Sequence, residues 1–339
     1  ESAAEPPAID APPISLSYSI HVKEIGDLVS PIAVQYATGR PAVWRRPSAG
    51  SHLLAAGSIL HWATPESHVW GTGLDPSQPI GEIEGGRIWA LRGKLTYDLL
   101  KPEVSGLRDV PLGDPLYLVG RRLATLAPSR PVTHRLGVVP RTADRAHPAI
   151  AHLRSQEGVQ VLDARAPALE FFARMMACEA IASSSLSALI LAEALGIPNL
   201  WLDFGTESAE RVFEFQDWFS LADKPQAAPM RPIPQPHAND LVAVSALHAM
   251  KIELVPLEEA VSALRTVPDQ EYEAASAFFA AAGIPTIERV MTDNAKNYVL
   301  SAAFQGALAG IGARHKLTRP YRPQTNGKAE RFNRTLLEE

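Results

Sequence analysis

The sequence predicts an α/β protein whose parallel sheets fall into two lobes. Three observations predict it: short apolar strands alternate with helical stretches, the alternation runs as two series, and a loop-rich stretch at 124–133 separates them. At 339 residues with 46% hydrophobic content the chain can bury a large core, enough for about two domains.

The elements follow in order. Residues 1–13 carry acids and four prolines and read as a flexible leader, not as a secretory signal; the missing Met before Glu1 reads as a start that is not the natural one. Leu16, Tyr18, Ile20 and Val22 alternate with polar residues as a half-buried strand does. A turn at Gly26-Asp27 then opens a helix over 28–37. Stretches 52–60, 68–71 and 87–91 read as buried strands and 94–100 as a short helix. The second series starts at Arg135, with strands at 136–139, 159–162 and 198–202 and helices at 168–177 and 186–195. Together they make two Rossmann-like lobes at 16–123 and 134–223, and ligands of such sheets lie beyond the carboxyl ends of the strands. Five prolines in 224–237 and no apolar period mark a linker or extended crossover, within a junction reaching to 282. Residues 240–255 are apolar without a clear period, and 257–264 reads as helical.

Charge divides the chain. From Gly283 to Glu339 there are nine Lys/Arg against five Asp/Glu, a balance of +4, so the total of −5 leaves −9 on the rest. An acidic body disfavours nucleic acid, whereas the basic end suits a phosphate backbone, at most weakly. The longest apolar runs are broken by charge, as Glu193 breaks 188–195, so no membrane span is expected. The single cysteine, Cys178, lies in an apolar stretch, which fits a core residue and a reducing, cytoplasmic setting.

Several blocks, in order, resemble the polysaccharide pyruvyl transferase family over about residues 16–221. They are Gly26-Asp27, Gly57-Ser58-Ile59-Leu60, Val69-Trp70-Gly71-Thr72-Gly73, Leu91-Arg92-Gly93 with Thr96, Gly113-Asp114-Pro115, Leu136-Gly137-Val138-Val139-Pro140, 181–186, 192–198 and 213–219. The resemblance implies a glycosyltransferase-B-like pair of lobes. It also implies transfer of a pyruvyl group from phosphoenolpyruvate to a sugar or lipid-linked oligosaccharide acceptor as a ketal, with no cofactor. Such a donor carries a phosphate and a carboxylate, so cations and aligned N–H donors are needed. Arg92, following a strand, offers a planar fork for either anion. Ser183, Ser184 and Ser185 precede the helix at Leu186. One of them caps it, and its N-terminus is an anion site. Gly26 and Asp27 bring backbone to the donor, although Asp27 as a helix cap is the plainer reading.

Two positions depart from the family pattern. Ser187 stands where the family has a histidine, and Arg141 stands where it often has another, so charge is kept at 141 but proton shuttling is not. The catalytic candidates are therefore Arg92, Arg141 and Ser187, and the donor-binding candidates Gly26, Asp27, Arg92, Ser184 and Ser185. His147, before Pro148, is either a substitute acid–base group or structural.

From about Ile284 the chain resembles the end of the integrase-like catalytic core of insertion-sequence transposases. The carriers are Val290-Met291-Thr292-Asp293-Asn294 and Pro323-Gln324-Thr325-Asn326-Gly327-Lys328-Ala329-Glu330-Arg331-Phe332. The resemblance implies a partial ribonuclease-H-like fragment at 283–339 in which Asp293 and Glu330 are vestigial metal carboxylates. Mg2+ or Mn2+ would be held only if that core were complete. Asp240, ahead of a possible strand at 241–244, is the remote candidate for the first carboxylate. Three functions follow for testing: a pyruvyl transferase, an inactive chimeric relic of one, and a DNA-binding transposition protein.

Overall fold

The computed structural model of the protein describes residues 13–20, 22–126, 131–206, 208–265, 289–292 and 314–317. The chain is α/β with parallel sheets, and it divides into two compact units. One comprises Ser15–Thr38 and Ala42–Thr266, the other Glu1–Ile14, Gly39–Pro41 and Val267–Glu339.

The larger unit holds two sheets. The first has the order β2-β1-β3-β4-β5, made of β1 (Ile14–Ser17), β2 (Ala42–Trp44), β3 (His52–Leu54), β4 (Ser67–Trp70) and β5 (Ile88–Ala90), with β1, β3, β4 and β5 parallel in turn. The second has the order β7-β6-β8-β9, all parallel, from β6 (His134–Val139), β7 (Val159–Val161), β8 (Cys178–Ser183) and β9 (Asn199–Trp201). Strands this short and apolar on both faces belong to buried sheets covered by helices. Leu54, Val69, Ile88, Leu91 and Leu100 form the core against the first sheet. Leu136, Val138, Ile150, Leu153, Ala182 and Leu241 form that against the second.

Three helices join the sheets. The helices α1 (Ile25–Thr38) and α3 (Pro115–Leu126) pack together, and both contact α6 (Leu186–Ala194), which belongs to the second sheet. Gly120 of α3 crosses so close to Ala194 that a Cβ there would lie 2.5 Å from the Ala194 Cβ. The remaining helices of this unit are α2 (Lys94–Leu100), α4 (Pro148–Arg154), α5 (Ala168–Met176), α7 (Ala209–Phe219), α8 (Ala238–Val244) and α9 (Leu254–Glu259). Among the described residues, no helix is long and apolar enough to cross a membrane.

Most expected elements appear within a residue or two, and four differences have physical causes. The first strand ends at Ser17 instead of continuing to 22, and Ile20 and Val22 are exposed, so their alternation marks no buried face. The third ends at Leu54 because Gly57, at φ +96, turns the chain back and its carbonyl accepts from Gly73. No side chain caps α6: Ser183 Oγ instead donates to Val139 O (2.7 Å) and accepts from Ser185 N (2.9 Å). Asp240 lies in the first turn of α8, where buried Ala238 and Leu241 recur at helical spacing, so it is not a strand-end carboxylate.

The stretch read as a linker is part of the larger unit as far as Thr266. Met230 pairs beside β9, donating to Trp201 O (2.9 Å) and accepting from Asp203 N (3.0 Å), while Gln226 bonds both the N–H and the carbonyl of Trp201. Beyond it, Leu257 and Ile252 pack on Gly113, and Trp70 Nε1 donates to Leu257 O at 2.8 Å. In the other unit, β10 (Arg289–Thr292) pairs in parallel with β11 (Arg314–Leu317), Val290 opposite His315. Asp293 and Glu330 lie outside the described residues.

Candidate functional site

The carboxyl ends of β6, β8 and β9 supply the centre of the site, where parallel α/β sheets place their ligands. Each strand end leads into a polar loop: Pro140-Arg141 after β6, Ser184-Ser185 after β8, and Asp203 to Thr206 after β9. Ser184 Oγ accepts from Arg141 N at 3.1 Å and donates to Asp144 Oδ2 at 2.6 Å. Arg141 donates from Nε to Asp144 Oδ2 (3.0 Å) and from Nη2 to Asp144 Oδ1 (3.4 Å) and Thr206 Oγ1 (2.7 Å). Thr206 Oγ1 in turn donates to Asp144 Oδ1 at 2.6 Å. Asp203, itself buried, accepts from the N–H groups of Gly205 and Thr206 and so shapes that loop. Burial works against the Asp144 carboxylate, but donation from Arg141, Ser184 and Thr206 outweighs it and holds the group below the usual carboxylate range.

The start of α1 meets this centre. Glu24 Oε1 accepts from Thr142 N at 2.8 Å, across 118 residues of sequence. Gly26 faces Ser187 so closely that any side chain at 26 would overlap its hydroxyl, which explains a glycine at this point. Asp27 reaches back from the first turn of α1 to accept from Glu24 N at 3.2 Å, the pattern of a helix-capping carboxylate. Burial raises its pKa to about 6, against the lowering effect of backbone donors at Glu24 and Ser19. Arg211, from α7, donates from Nη2 to Ser184 O at 3.4 Å and from Nη1 to Glu214 at 2.8 Å.

Gly26, Asp27, Arg141, Ser184, Ser185 and Ser187 thus come together from three separate sequence blocks. Arg92 does not join them as an open anion ligand. It is 1% exposed; its Nε donates to Asp217 Oδ2 (3.0 Å), its Nη1 to Ser58 Oγ (2.6 Å), and its buried Nη2, with no hydrogen-bond partner, lies against Gly73. Asp217 also accepts from Thr96 N (2.8 Å) and Thr96 Oγ1 (2.7 Å), so this cluster ties α7 to the turn after β5. Along α7, Asp217 stands six residues from Arg211, a rise of about 9 Å, and the helix links the two places. His147 caps α4, its Nδ1 accepting from Ala149 N at 3.2 Å, which is the structural role weighed for it.

Glu24, Asp144, Thr206, Arg211 and Asp217 went unread in the sequence. The i, i+3 spacing of Arg141 and Asp144 was a visible signal for one of them, and Asp217 lies inside the 213–219 block. Glu24 and Thr206 gave none, because their partners are set by tertiary approach. Among the described residues no three His, Cys, Asp or Glu side chains gather where they could hold a metal ion. Chemically, the site offers a cation braced from behind by a buried carboxylate, a second arginine, and a helix N-terminus without a side-chain cap.

No family model matches the chain, and no solved structure matches it. It is similar to an uncharacterized protein of Acanthamoeba polyphaga mimivirus, 29% identical over 174 residues that make up 50% of this chain and 60% of the relative. The chain therefore spans about three fifths of that relative's length.

Proposed function

We propose that residues 15–266 form a two-lobed, glycosyltransferase-B-like enzyme of the polysaccharide pyruvyl transferase kind. The observation that carries this reading is the meeting of Gly26-Asp27, Arg141 and Ser184-Ser185-Ser187 at the carboxyl ends of parallel strands. Arg141 and the first N–H groups of α6 suit an anionic donor such as phosphoenolpyruvate. In ketal formation one sugar hydroxyl adds to the enol carbon while its methylene takes a proton. A second hydroxyl then displaces the phosphate, which leaves with the remaining proton. Arg92 supports this site from behind through Asp217, and does not touch the donor.

A specific observation favours a second reading, an inactive relic that binds the donor poorly or not at all: Ser187, packed on Gly26, supplies no acid–base group where the family has a histidine. The test is phosphate release from phosphoenolpyruvate with hexosides bearing free 4- and 6-hydroxyls, together with the appearance of a ketal methyl signal in the NMR spectrum. Release with the methyl signal supports the enzyme. Binding without release, or no binding at all, supports the relic and defeats the enzyme.

For residues 283–339 we propose no DNA chemistry. A two-metal site needs a third carboxylate beside Asp293 and Glu330, and Asp240 sits on α8. Magnesium-dependent nicking lost in both Asp293→Ala and Glu330→Ala would defeat this.

A further inference from the structure

We propose that the exposed ring of Trp44 is a carbohydrate platform, on which one sugar of the acceptor stacks at the carboxyl end of the first sheet. This deepens the pyruvyl transfer reading by placing the acceptor, and it rests on that reading for the choice of a sugar. Of the six tryptophans, Trp70, Trp201 and Trp218 are buried, whereas Trp44 is 41% exposed. Its one polar atom is already used. Nε1 donates to Tyr18 O at 3.1 Å, which pins the ring while much of it stays open to solvent.

The ring stands on the side of the sheet where the candidate site lies. Ile14 N donates to Pro41 O and Arg45 N to Leu16 O, so Ile14 lies beside Ala42 and Leu16 beside Trp44, and β2 runs parallel to β1. Trp44 is therefore at the carboxyl end of β2, next to the carboxyl end of β1. The chain leaving β1 carries Tyr18 and then Ser19, whose N–H donates to the Asp27 carboxylate. Asp27 also accepts from Glu24 N, and Glu24 accepts from Thr142 N. A short chain of hydrogen bonds thus leads from the ring to the centre of the site. A hexose has one face of polarised C–H groups and a rim of hydroxyls. The C–H face suits the negative face of an indole, and the rim suits charged neighbours. Ile20, Val22 and Lys23 of the loop beside the ring and Arg46 beyond it are exposed, a mixed border of this kind. Val43 is exposed too, but successive strand residues point to opposite faces, so it does not extend the ring into one broad apolar surface of the sort that docks a protein.

The test uses the full chain and a methyl hexoside with free 4- and 6-hydroxyls. In nitrogen NMR the Trp44 indole signal, identified by its loss in Trp44→Ala, is expected to shift saturably with the hexoside, while the signals of Trp70, Trp201 and Trp218 stay in place. Affinity in the variants is read on the sugar's own protons by saturation transfer. Trp44→Phe gives up the bond to Tyr18 and keeps a ring, whereas Trp44→Ala gives up both. Trp44→Ala should weaken binding by about fivefold or more, and Trp44→Phe by less than about threefold. Should Trp44→Ala fail to fold, Trp44→Leu keeps bulk without the ring, and the same loss is expected.

A Trp44 signal unmoved by the hexoside, or equal losses in the phenylalanine and alanine variants, overturns the proposal. So does a Trp44 signal that moves with protein concentration alone, which gives the ring to a second copy of the chain. Sedimentation with phosphatidylglycerol vesicles that Trp44→Ala abolishes gives it to a lipid surface and overturns the proposal as well. Ring-dependent sugar binding by a chain that releases no phosphate from phosphoenolpyruvate supports the platform and defeats the transferase reading alone. Phosphate release unchanged in Trp44→Ala at limiting hexoside defeats the platform alone.

Discussion

Buried charge decides what three residues do. Arg92 and Asp217 are 1% and 0% exposed and form one ion pair, so removing either partner strands the other without water. Arg92→Ala is expected to cost about 3–5 kcal/mol in urea unfolding for that reason. A loss below about 1 kcal/mol would mean the pair is not desolvated as described. Asp114 is wholly buried at the start of α3, where its Oδ1 accepts from Leu116 N at 2.9 Å, and desolvation pushes its pKa up to about 7. In the unfolded chain the group titrates near the ordinary aspartate value of about 3.9, so between pH 4 and 7 the folded state holds a proton that the unfolded state has lost. Stability contributed by this group therefore falls as pH rises through that window and levels off above it, by about 1.4 kcal/mol for each pH unit. Asp114→Asn keeps the acceptor for Leu116 and removes the titration. Unfolding at pH 5 and pH 8 should show a smaller difference in the variant, with a residual slope from Asp27. An unchanged difference would assign the slope elsewhere. Ser187 is half-buried and packs on Gly26. If the rest of the machinery is intact, Ser187→His should raise pyruvyl transfer by about 10²–10⁴-fold, the usual contribution of a positioned acid–base group. A folded Ser187→His chain with no gain in phosphate release would favour the relic.

At the scale of elements, packing at helix crossings is where sequence reading stops. The strands were legible because they are short apolar runs, α2 because its apolar spacing is helical, and α6 because its apolar run is longer than a buried strand. The helix α3 was not, since Gly120 interrupts its pattern and its reason for being there lies on another element. Gly120→Ala measures that reason. Alanine gains about 1 kcal/mol of helix propensity, but its Cβ would press on Ala194, a group fixed to the backbone that cannot rotate away. Overpacking of this kind costs about 1–3 kcal/mol, so the net effect should be destabilising by chemical denaturation. A stabilised Gly120→Ala protein would show that α3 and α6 have room to separate. The candidate site divides in the same way. Ser184 and Ser185 were readable because serines precede the helix at Leu186, and Arg141 through the blocks that resemble the pyruvyl transferases, whereas Glu24 bonds Thr142 only because the fold brings them together across 118 residues. Arg92 misled for a related reason: position after a strand says nothing about whether another helix brings a carboxylate to it.

For the whole molecule, the informative boundary is the one near residue 266. Composition placed a linker at 224–237 and a change of character beyond it, since five prolines and no apolar period give no sign of a partner. The structure gives that stretch partners in β9 and continues the larger unit through α9 to Thr266, with Val261 and Leu264 buried. The indole of Trp70, itself fully buried, finds its acceptor only in Leu257, and a buried donor left without one costs about 1–3 kcal/mol. Two truncations separate the readings. A chain ending at Thr266 keeps the Leu257 acceptor and the residues packed on Gly113, so its melting midpoint should lie within about 3 °C of the full chain, less than the shift from 1 kcal/mol in a domain of 100 residues. A chain ending at Asp223 loses the partner of β9, uncovers Trp70 and removes the Glu193 partner His248, whose N–H and ring nitrogen both bond that buried carboxylate. It should lose cooperative unfolding altogether. If the shorter chain melts like the longer one, residues 224–266 are a linker after all; if ending the chain at Thr266 abolishes the transition, the division at 266 does not mark an independently stable body.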